Sequence, residues 1–345
     1  MAQVNVAVIG YGLSGAVFHA PLIAADPRLR MAAVVTSSPE RADQARGDHP
    51  GVRVFATADE LFSAATDIDL MVIASPNRTH GPLTLRAVAA GLPVVVDKPF
   101  ALTTVEGEAM IAAARQAGTM LTVFQNRRWD SDFRTVRRLM ADGALGEVRR
   151  FESRFERWRP RIKGGWREVG GADEGAGILY DLGSHLIDQA LDLFGPVGDV
   201  YCELDARRPG VRADDDAFVA LTHASGVRSH LWMSAVAPQL GPRFRVLGSE
   251  AGYVCYGLDP QEAALRAGRR PGDGQPWGSV DPADWGQLGA EGELRPTPSE
   301  PGAYPDFYAE VAAALLDGAE PPVDPADAVA ALRIIERARA AAAAR

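Results

Sequence analysis

Four stretches of this chain combine residue types and spacings that could do chemistry. The first is Asp97-Lys98-Pro99, which closes the apolar run Pro93-Val94-Val95-Val96. A lysine ending a buried strand lies near the top of its sheet, where partial burial and a neighbouring positive charge depress its pKa. Such a group can polarise a carbonyl or relay a proton. The plain alternative is a lysine that lays its stem on apolar surface and keeps its charge in water. The second stretch is Tyr180-Asp181-Leu182-Gly183-Ser184-His185-Leu186-Ile187-Asp188. Asp181, His185 and Asp188 recur at i, i+4 and i+7, a polar stripe opposite Leu182, Leu186 and Leu193. That stripe is either a solvated helix face or a histidine oriented by a carboxylate, a serviceable base for an alcohol proton near neutral pH. An Asp/His pair at this spacing could hold a metal, but no His-x-x-Glu or cysteine pair accompanies it, so no metal is expected.

The third is rich in arginine and tryptophan: Asn126-Arg127-Arg128-Trp129-Asp130, Arg157-Trp158-Arg159-Pro160 and Trp166-Arg167-Glu168. Donors and flat rings suit a hydroxyl-rich small molecule, and ordinary strand and loop ion pairs are the alternative. Nucleic acid is disfavoured by the net charge of −9 and the interspersed glutamates. The fourth is Ser75-Pro76-Asn77-Arg78-Thr79-His80, which follows an apolar strand and reads equally well as a turn and helix cap.

These groups need elements to position them, and the N-terminal third supplies a recognisable set. Val4–Ile9 leads into Gly10-Tyr11-Gly12-Leu13-Ser14-Gly15, followed by a helical segment to Ala25. Strand, Gly-x-Gly-x-x-Gly and helix are the parts of a dinucleotide site. The glycines permit the tight turn, the approach of a pyrophosphate and close helix–strand packing. The helix N-terminus offers unpaired N–H groups to the phosphates. Further strands are expected at Met31–Val35, Val52–Phe55, Leu70–Ala74, Val94–Asp97 and Met120–Phe124. Helices are expected at Pro39–Arg46, Asp59–Ala65, Pro82–Ala90 and Thr104–Ala117. Continuous apolar strands alternating with helices predict an α/β, doubly wound parallel sheet (a Rossmann fold) with its ligand at the carboxyl ends of the strands.

The second strand ends Val34-Val35-Thr36-Ser37-Ser38 without the carboxylate that usually holds a ribose 2′-hydroxyl. Asp26 precedes that strand, and Glu40 already lies in the next helix. Ser37, Ser38 and Arg41 suit a 2′-phosphate instead, so NADP is favoured over NAD. The candidate dinucleotide contacts are Gly10, Tyr11, Gly12, Leu13, Ser14, Gly15, Ser37, Ser38 and Arg41. To these are added Ser75, Pro76, Asn77, His80, Asp97, Lys98, Asn126, Trp166 and Arg167. Candidate substrate contacts are Lys98, Arg128, Trp129, Tyr180, Asp181 and His185.

Beyond Gln125 the pattern changes to α+β. A helix at Asp130–Ala141 precedes an alternating segment, Val148–Trp158, and a second helix is expected at Ile178–Phe194. Strands are expected at Val200–Leu204, Ala217–Thr222, Val227–Met233, Phe244–Leu247 and Tyr253–Tyr256, with hairpin turns at Ala224-Ser225-Gly226 and Ser249-Glu250-Ala251-Gly252. Residues 268–302 read as a Gly/Pro-rich loop before two final helices, Pro305–Leu316 and Asp324–Ala341. A chain of 345 residues suggests two domains, a dinucleotide-binding one at 1–124 and a substrate and oligomerisation one at 125–345, with a large, mostly antiparallel open sheet. The final helices could pack back on the first domain. The start lacks a basic n-region and the apolar runs are short, so neither a signal peptide nor a membrane partner is expected. Two distant cysteines, Cys202 and Cys255, read as reduced thiols of a cytoplasmic protein.

The Gly10–Gly15 loop, Asp97-Lys98-Pro99 and Asp181-x-x-x-His185 together resemble the Gfo/Idh/MocA oxidoreductase family. Gly-Tyr-Gly-Leu-Ser-Gly with Phe18-His19-Ala20-Pro21-Leu22-Ile23, the Asn126–Asp130 stretch, and Leu258-Asp259-Pro260-Gln261-Glu262 resemble its scyllo-inositol dehydrogenase-like branch, from Val4 to about Glu336. The resemblance implies a Rossmann domain joined to a domain whose open sheet makes homodimers or homotetramers. It also implies a catalytic set: His185 as acid and base, Lys98 polarising the substrate oxygen, Asp181 fixing His185 and a substrate hydroxyl. Asp97 stands where the family most often has glutamate. The implied reaction is hydride transfer between NADP or NAD and a cyclic polyol or sugar, such as scyllo-inositol and its inosose. A dehydrogenase of another sugar, nucleotide sugar or dihydrodiol, and a dinucleotide sensor without chemistry, are the other readings.

Overall fold

The computed structural model describes residues 3–64, 66–171 and 174–344, without the side chains of Trp166 and Arg167. The chain divides into two compact units. Unit 1 comprises 1–126 with two later returns, 261–277 and 303–326; unit 2 comprises 127–260, 278–302 and 327–345.

Among the described residues, unit 1 is built on six parallel strands: β1 Val4–Ile9, β2 Leu29–Val35, β3 Arg53–Phe55, β4 Leu70–Ile73, β5 Val94–Val96 and β6 Leu121–Val123. Their order is β3-β2-β1-β4-β5-β6, the doubly wound arrangement, with the change of direction between β1 and β4. Every residue of β4, β5 and β6 is buried, which is why these strands are apolar throughout rather than alternating. Ile9 lies level with Ile73, and Ile73 with Val96, so three strands end on one line. The ladder continues one residue past them. Gly10 N–H donates to the Val35 carbonyl at 3.0 Å, and Ala74 N–H to Ile9 and Asp97 N–H to Ile73 at 2.9 Å each. The loops carrying the candidate residues therefore start from a fixed edge.

The later returns of chain are stitched in by buried polar side chains. Gln261 Oε1 accepts from Trp277 Nε1 at 2.8 Å and from Tyr304 N–H at 2.7 Å. Thr122 Oγ1 donates to the Val323 carbonyl at 2.8 Å. Helix Tyr304–Asp317 packs on Ala20–Ala25 and ends in the left-handed Gly318, φ +72°. The short helix Pro260–Arg266 was not expected, although proline in its first turn is a start signal.

Unit 2 is built on eight described strands: β7 Arg150–Glu156, β8 Val197–Asp205, β9 Asp216–His223, β10 Arg228–Ser234, β11 Phe244–Leu247, β12 Gly252–Cys255, β13 Gln287–Gly289 and β14 Arg295–Pro296. They run in the order β14-β13-β12-β11-β7-β10-β9-β8, all neighbours antiparallel except β10 and β7. Strict alternation of buried and half-exposed residues along β9 gives the sheet one covered and one open face. On the covered face Phe151 meets Phe194 and Phe244, with ring centroids 5.4 Å apart in each case. On the open face Tyr201, Phe218, His230 and Trp232 form a ladder of rings.

Two expectations need correction. The stretch 268–302 is not loop throughout, since β13 and β14 extend the sheet from within it. Strands of three and two residues are too short to show alternation between glycines and prolines. The segment expected as one helix from Ile178 is instead a π-helical turn, Leu179–Gly183, followed by the α-helix Ser184–Phe194. Asp214 holds that turn, its Oδ2 accepting from Leu179 N–H at 2.7 Å. Gly183 fits because a Cβ there would meet Leu179 and Met233 at 2.9 Å.

Candidate active site

At the strand edge of unit 1 the glycine loop has the shape its sequence predicts. Gly10 sits at φ +99°, and a Cβ there would meet the Ala74 carbonyl oxygen at 2.6 Å and Ser75 N at 2.8 Å. A Cβ on Gly15 would collide with the Gly10 carbonyl, which is the close strand–helix packing the third glycine serves. Gly12 is open: a Cβ there would meet only Arg41 Nη1, at 3.8 Å. The open glycine, the following helical turn and a guanidinium beside it form a cradle that fits a dinucleotide's phosphates. Ser38 caps helix Pro39–Asp48 by accepting from Arg41 N–H at 3.3 Å, while Ser37 and Arg41 are exposed and Leu13 is half out of the protein.

Several other predicted dinucleotide contacts carry little exposed surface. Tyr11, Asn77, His80 and Asn126 are all buried. The His80 ring bridges the carbonyls of Ser75 and Pro99, each 2.9 Å away, and so ties the loop after β4 to the loop after β5. Ser75 Oγ lies 2.6 Å from Thr79 Oγ1, closing the turn over Pro76, which is exposed. The side chains of Trp166 and Arg167 lie outside the described residues.

Lys98 lies two residues past the end of β5, half-buried, and the Lys98–Pro99 peptide is cis. Asp97 beside it gathers donors. Its Oδ1 accepts the Lys98 backbone N–H at 2.8 Å, and its Oδ2 accepts Ser14 Oγ–H of the glycine loop at 2.5 Å. His19 Nε2 faces Oδ1 at 3.9 Å. Burial alone would raise the Asp97 carboxyl. His19, Ser14 and the Lys98 charge outweigh that and hold it well below the usual carboxylate range. His19 is wholly buried against Phe124, and its Nδ1 lies 2.6 Å from Tyr308 Oη. Neither His19 nor Tyr308 stands out as a functional candidate in the sequence, because 289 positions separate them.

In unit 2, Asp181 and Leu182 line a cleft of about 250 Å³ with Arg157, Arg159, Arg208 and Glu168. Arg157, half-buried, lies with its guanidinium 4.8 Å from the Phe155 ring centre, and Arg159 two residues on is exposed. Arg208 is buried and bound to Asp215 and Glu168 at 2.8 Å each. Burial would raise the Glu168 carboxyl, but backbone N–H groups and Arg208 hold it low. His185 is buried one turn further on, and Tyr180 is buried under the Arg339 guanidinium, 4.9 Å from its ring centre. A larger cavity of about 630 Å³ lies beside β12, lined by Tyr253, Asp259 and Trp285, and includes none of the candidate residues.

The expected polar stripe is not a solvated face. The wider π-helical turn breaks the 3.6-residue period at Asp181, and Asp188 is buried in an ion cluster. Arg128 grips Asp188 with two hydrogen bonds, 2.9 and 2.7 Å, and also reaches Asp192 at 3.5 Å and Asp327 at 3.1 Å. Burial works against the Arg128 charge, and the three carboxylates outweigh it. Its donors point into this cluster, which corrects the expectation that Arg128 meets substrate. Trp129 beside it is buried as well.

Residues 4–125 match the oxidoreductase family with an NAD-binding Rossmann fold known as Gfo/Idh/MocA, and 133–254 match the Gfo/Idh/MocA C-terminal domain. The oxidoreductase YdgJ of Escherichia coli (strain K12) is 42% identical over 97% of this chain and 95% of its own length. The scyllo-inositol 2-dehydrogenase (NADP(+)) IolW of Bacillus subtilis (strain 168) is 34% identical over 97% of this chain and 92% of its own. Among solved structures, the yvaA oxidoreductase of Bacillus subtilis superposes with a TM-score of 0.93 at 34% identity, covering 99% of this chain and 97% of that one.

Proposed function

Because the chain belongs to the Gfo/Idh/MocA family of NAD(P)-binding oxidoreductases, we propose that it interconverts a ring carbinol of a cyclic polyol with its ketone, scyllo-inositol and its inosose first. The bound nicotinamide supplies a hydride acceptor in one direction and a donor in the other. Lys98 binds the reacting oxygen through its ammonium group and stabilises the negative charge that develops there. His185 takes the hydroxyl proton during oxidation and returns it during reduction. Asp181 orients His185 and holds a neighbouring hydroxyl. The observation that carries this reading is Asp97, which binds the glycine loop through Ser14 and the Lys98 backbone with the same carboxylate.

NADP is the preferred dinucleotide. No carboxylate follows β2, and the Arg41 guanidinium lies over Gly12. The aromatic ladder on the open sheet face suits a second copy of the chain, giving a homodimer or homotetramer. The buried thiols of Cys202 and Cys255 fit a cytoplasmic protein. The test is a panel of inositols, inososes and aldoses assayed with NADP and NAD through the absorbance of the reduced dinucleotide. The expected result is turnover of an inositol or inosose with a higher kcat/KM for NADP. Dinucleotide binding without turnover of any member would contradict the reading.

A further inference from the structure

Asp97 collects donors from separate elements of unit 1, and the geometry behind it is specific. Its short side chain turns back to accept the N–H of the next residue, a contact that glutamate, one methylene longer, would overshoot. Its second oxygen is held by Ser14, in the π-helical turn Ser14–His19 that follows the glycine loop. The same turn ends in His19, whose buried Nε2 faces Oδ1 across 3.9 Å, beyond hydrogen-bond length, and has no other hydrogen-bond partner among the described residues. Nδ1 lies 2.6 Å from the Tyr308 phenol, which burial and the Asp97 charge keep protonated. Tyr308 and His19 thus stand in line behind Asp97, the phenol in hydrogen-bond contact with one ring nitrogen and the other ring nitrogen facing the carboxylate.

An imidazole is a costly choice for this place if packing were its only task. His19 is wholly enclosed, with Phe124 at a ring separation of 4.3 Å, and leucine or phenylalanine would fill the same volume without a polar edge to satisfy. We propose that His19 is a positioning residue for the reaction: backed by Tyr308, it aims Asp97 so that one carboxylate holds both the dinucleotide loop, through Ser14, and the backbone of Lys98. The inference rests on Lys98 as the group that meets the reacting oxygen. Loss of His19 then loosens dinucleotide binding and the placement of Lys98 together, without touching either ligand directly.

The test compares His19→Leu, His19→Gln and Tyr308→Phe with the parent protein. Dinucleotide affinity is read from the fluorescence of reduced NADP, kcat and polyol KM from initial rates, and folding from circular dichroism. His19→Leu is expected to raise the dinucleotide Kd and to lower kcat by about tenfold each, since small misplacements of a reacting group are costly. His19→Gln, which returns an N–H toward Asp97, recovers most of both losses, and Tyr308→Phe gives an intermediate loss of about threefold. A folded His19→Leu protein with both constants within about twofold of the parent overturns the proposal, even if its melting temperature falls. If His19→Leu does not fold, parent-like constants for Tyr308→Phe overturn it. A parent that neither binds the dinucleotide nor turns over a polyol instead removes the role of Lys98, and this inference with it.

Discussion

Two carboxylates, the half-buried Asp97 in one unit and the buried Asp188 in the other, show how the same chemical group serves opposite ends. Asp97 lies at a strand end and receives neutral or backbone donors from Ser14 and Lys98 with His19 behind. Asp188 lies inside a helix and is gripped by the full fork of Arg128. Around Asp188 a fixed charge meets fixed charges, and every strong donor points inward. Around Asp97 the carboxylate accepts from the Lys98 backbone and the Ser14 hydroxyl, so it ties the end of β5 to the glycine loop. An acid gripped by an arginine fork is thus committed to packing, and one that accepts from Ser14 and a peptide N–H joins two loops of the strand edge.

The comparison breaks most visibly at Lys98. Lys98→Ala is expected to lower kcat by on the order of 10²–10⁴ while dinucleotide affinity and unfolding midpoint stay near those of the parent. Near-normal turnover would remove the functional half of the contrast. Arg128→Ala should do the reverse. Leaving Asp188 buried without its partner costs about 3–5 kcal/mol in urea unfolding, and joint replacement, Arg128→Met with Asp188→Leu, should recover part of it. A stable Arg128→Ala protein with a greatly raised polyol KM would return Arg128 to the substrate site.

A smaller effect sharpens the structural side. His223 in β9 is buried between the Gly195 carbonyl and Ser229 Oγ, each 2.9 Å away. Burial lowers its pKa, with the Gly195 carbonyl opposing. The folded state thus favours the neutral ring. Its contribution is full above the ordinary histidine value of about 6.5 and is lost as pH falls from there toward the lower folded value. Melting temperature should therefore fall between about pH 7.5 and 5.5, and His223→Asn should flatten part of that fall. An unchanged slope would show that the ring is not held neutral by its surroundings.

The edge of unit 1 was readable because its signals are local. Val4–Ile9, the three glycines and the apolar run before Lys98 each carry their meaning within a dozen residues. The partners of Asp97 were not readable in that way, since His19 comes from the loop helix and Tyr308 from a return of chain near the C-terminus. Arg128 misled for a related reason. In an arginine- and tryptophan-rich stretch a guanidinium reads as a ligand donor, and only the fold shows that Asp188, sixty positions on, is its partner. The stripe through Asp181, His185 and Asp188 fitted a 3.6-residue period on paper. The packing of Gly183 against Leu179 and Met233 and the grip of Asp214 accommodate a wider turn instead. Strands β13 and β14 were hidden by brevity alone.

The most direct measurement of the central claim follows the hydrogen itself. scyllo-Inositol deuterated at its ring carbons, oxidised by the enzyme with NADP, should deliver deuterium to C4 of the reduced nicotinamide and slow turnover when that step limits the rate. The same experiment with Lys98→Ala should show the same transfer at a far lower rate. Deuterium recovered in solvent water, or inosose formed without any in the dinucleotide, would contradict hydride transfer at this edge.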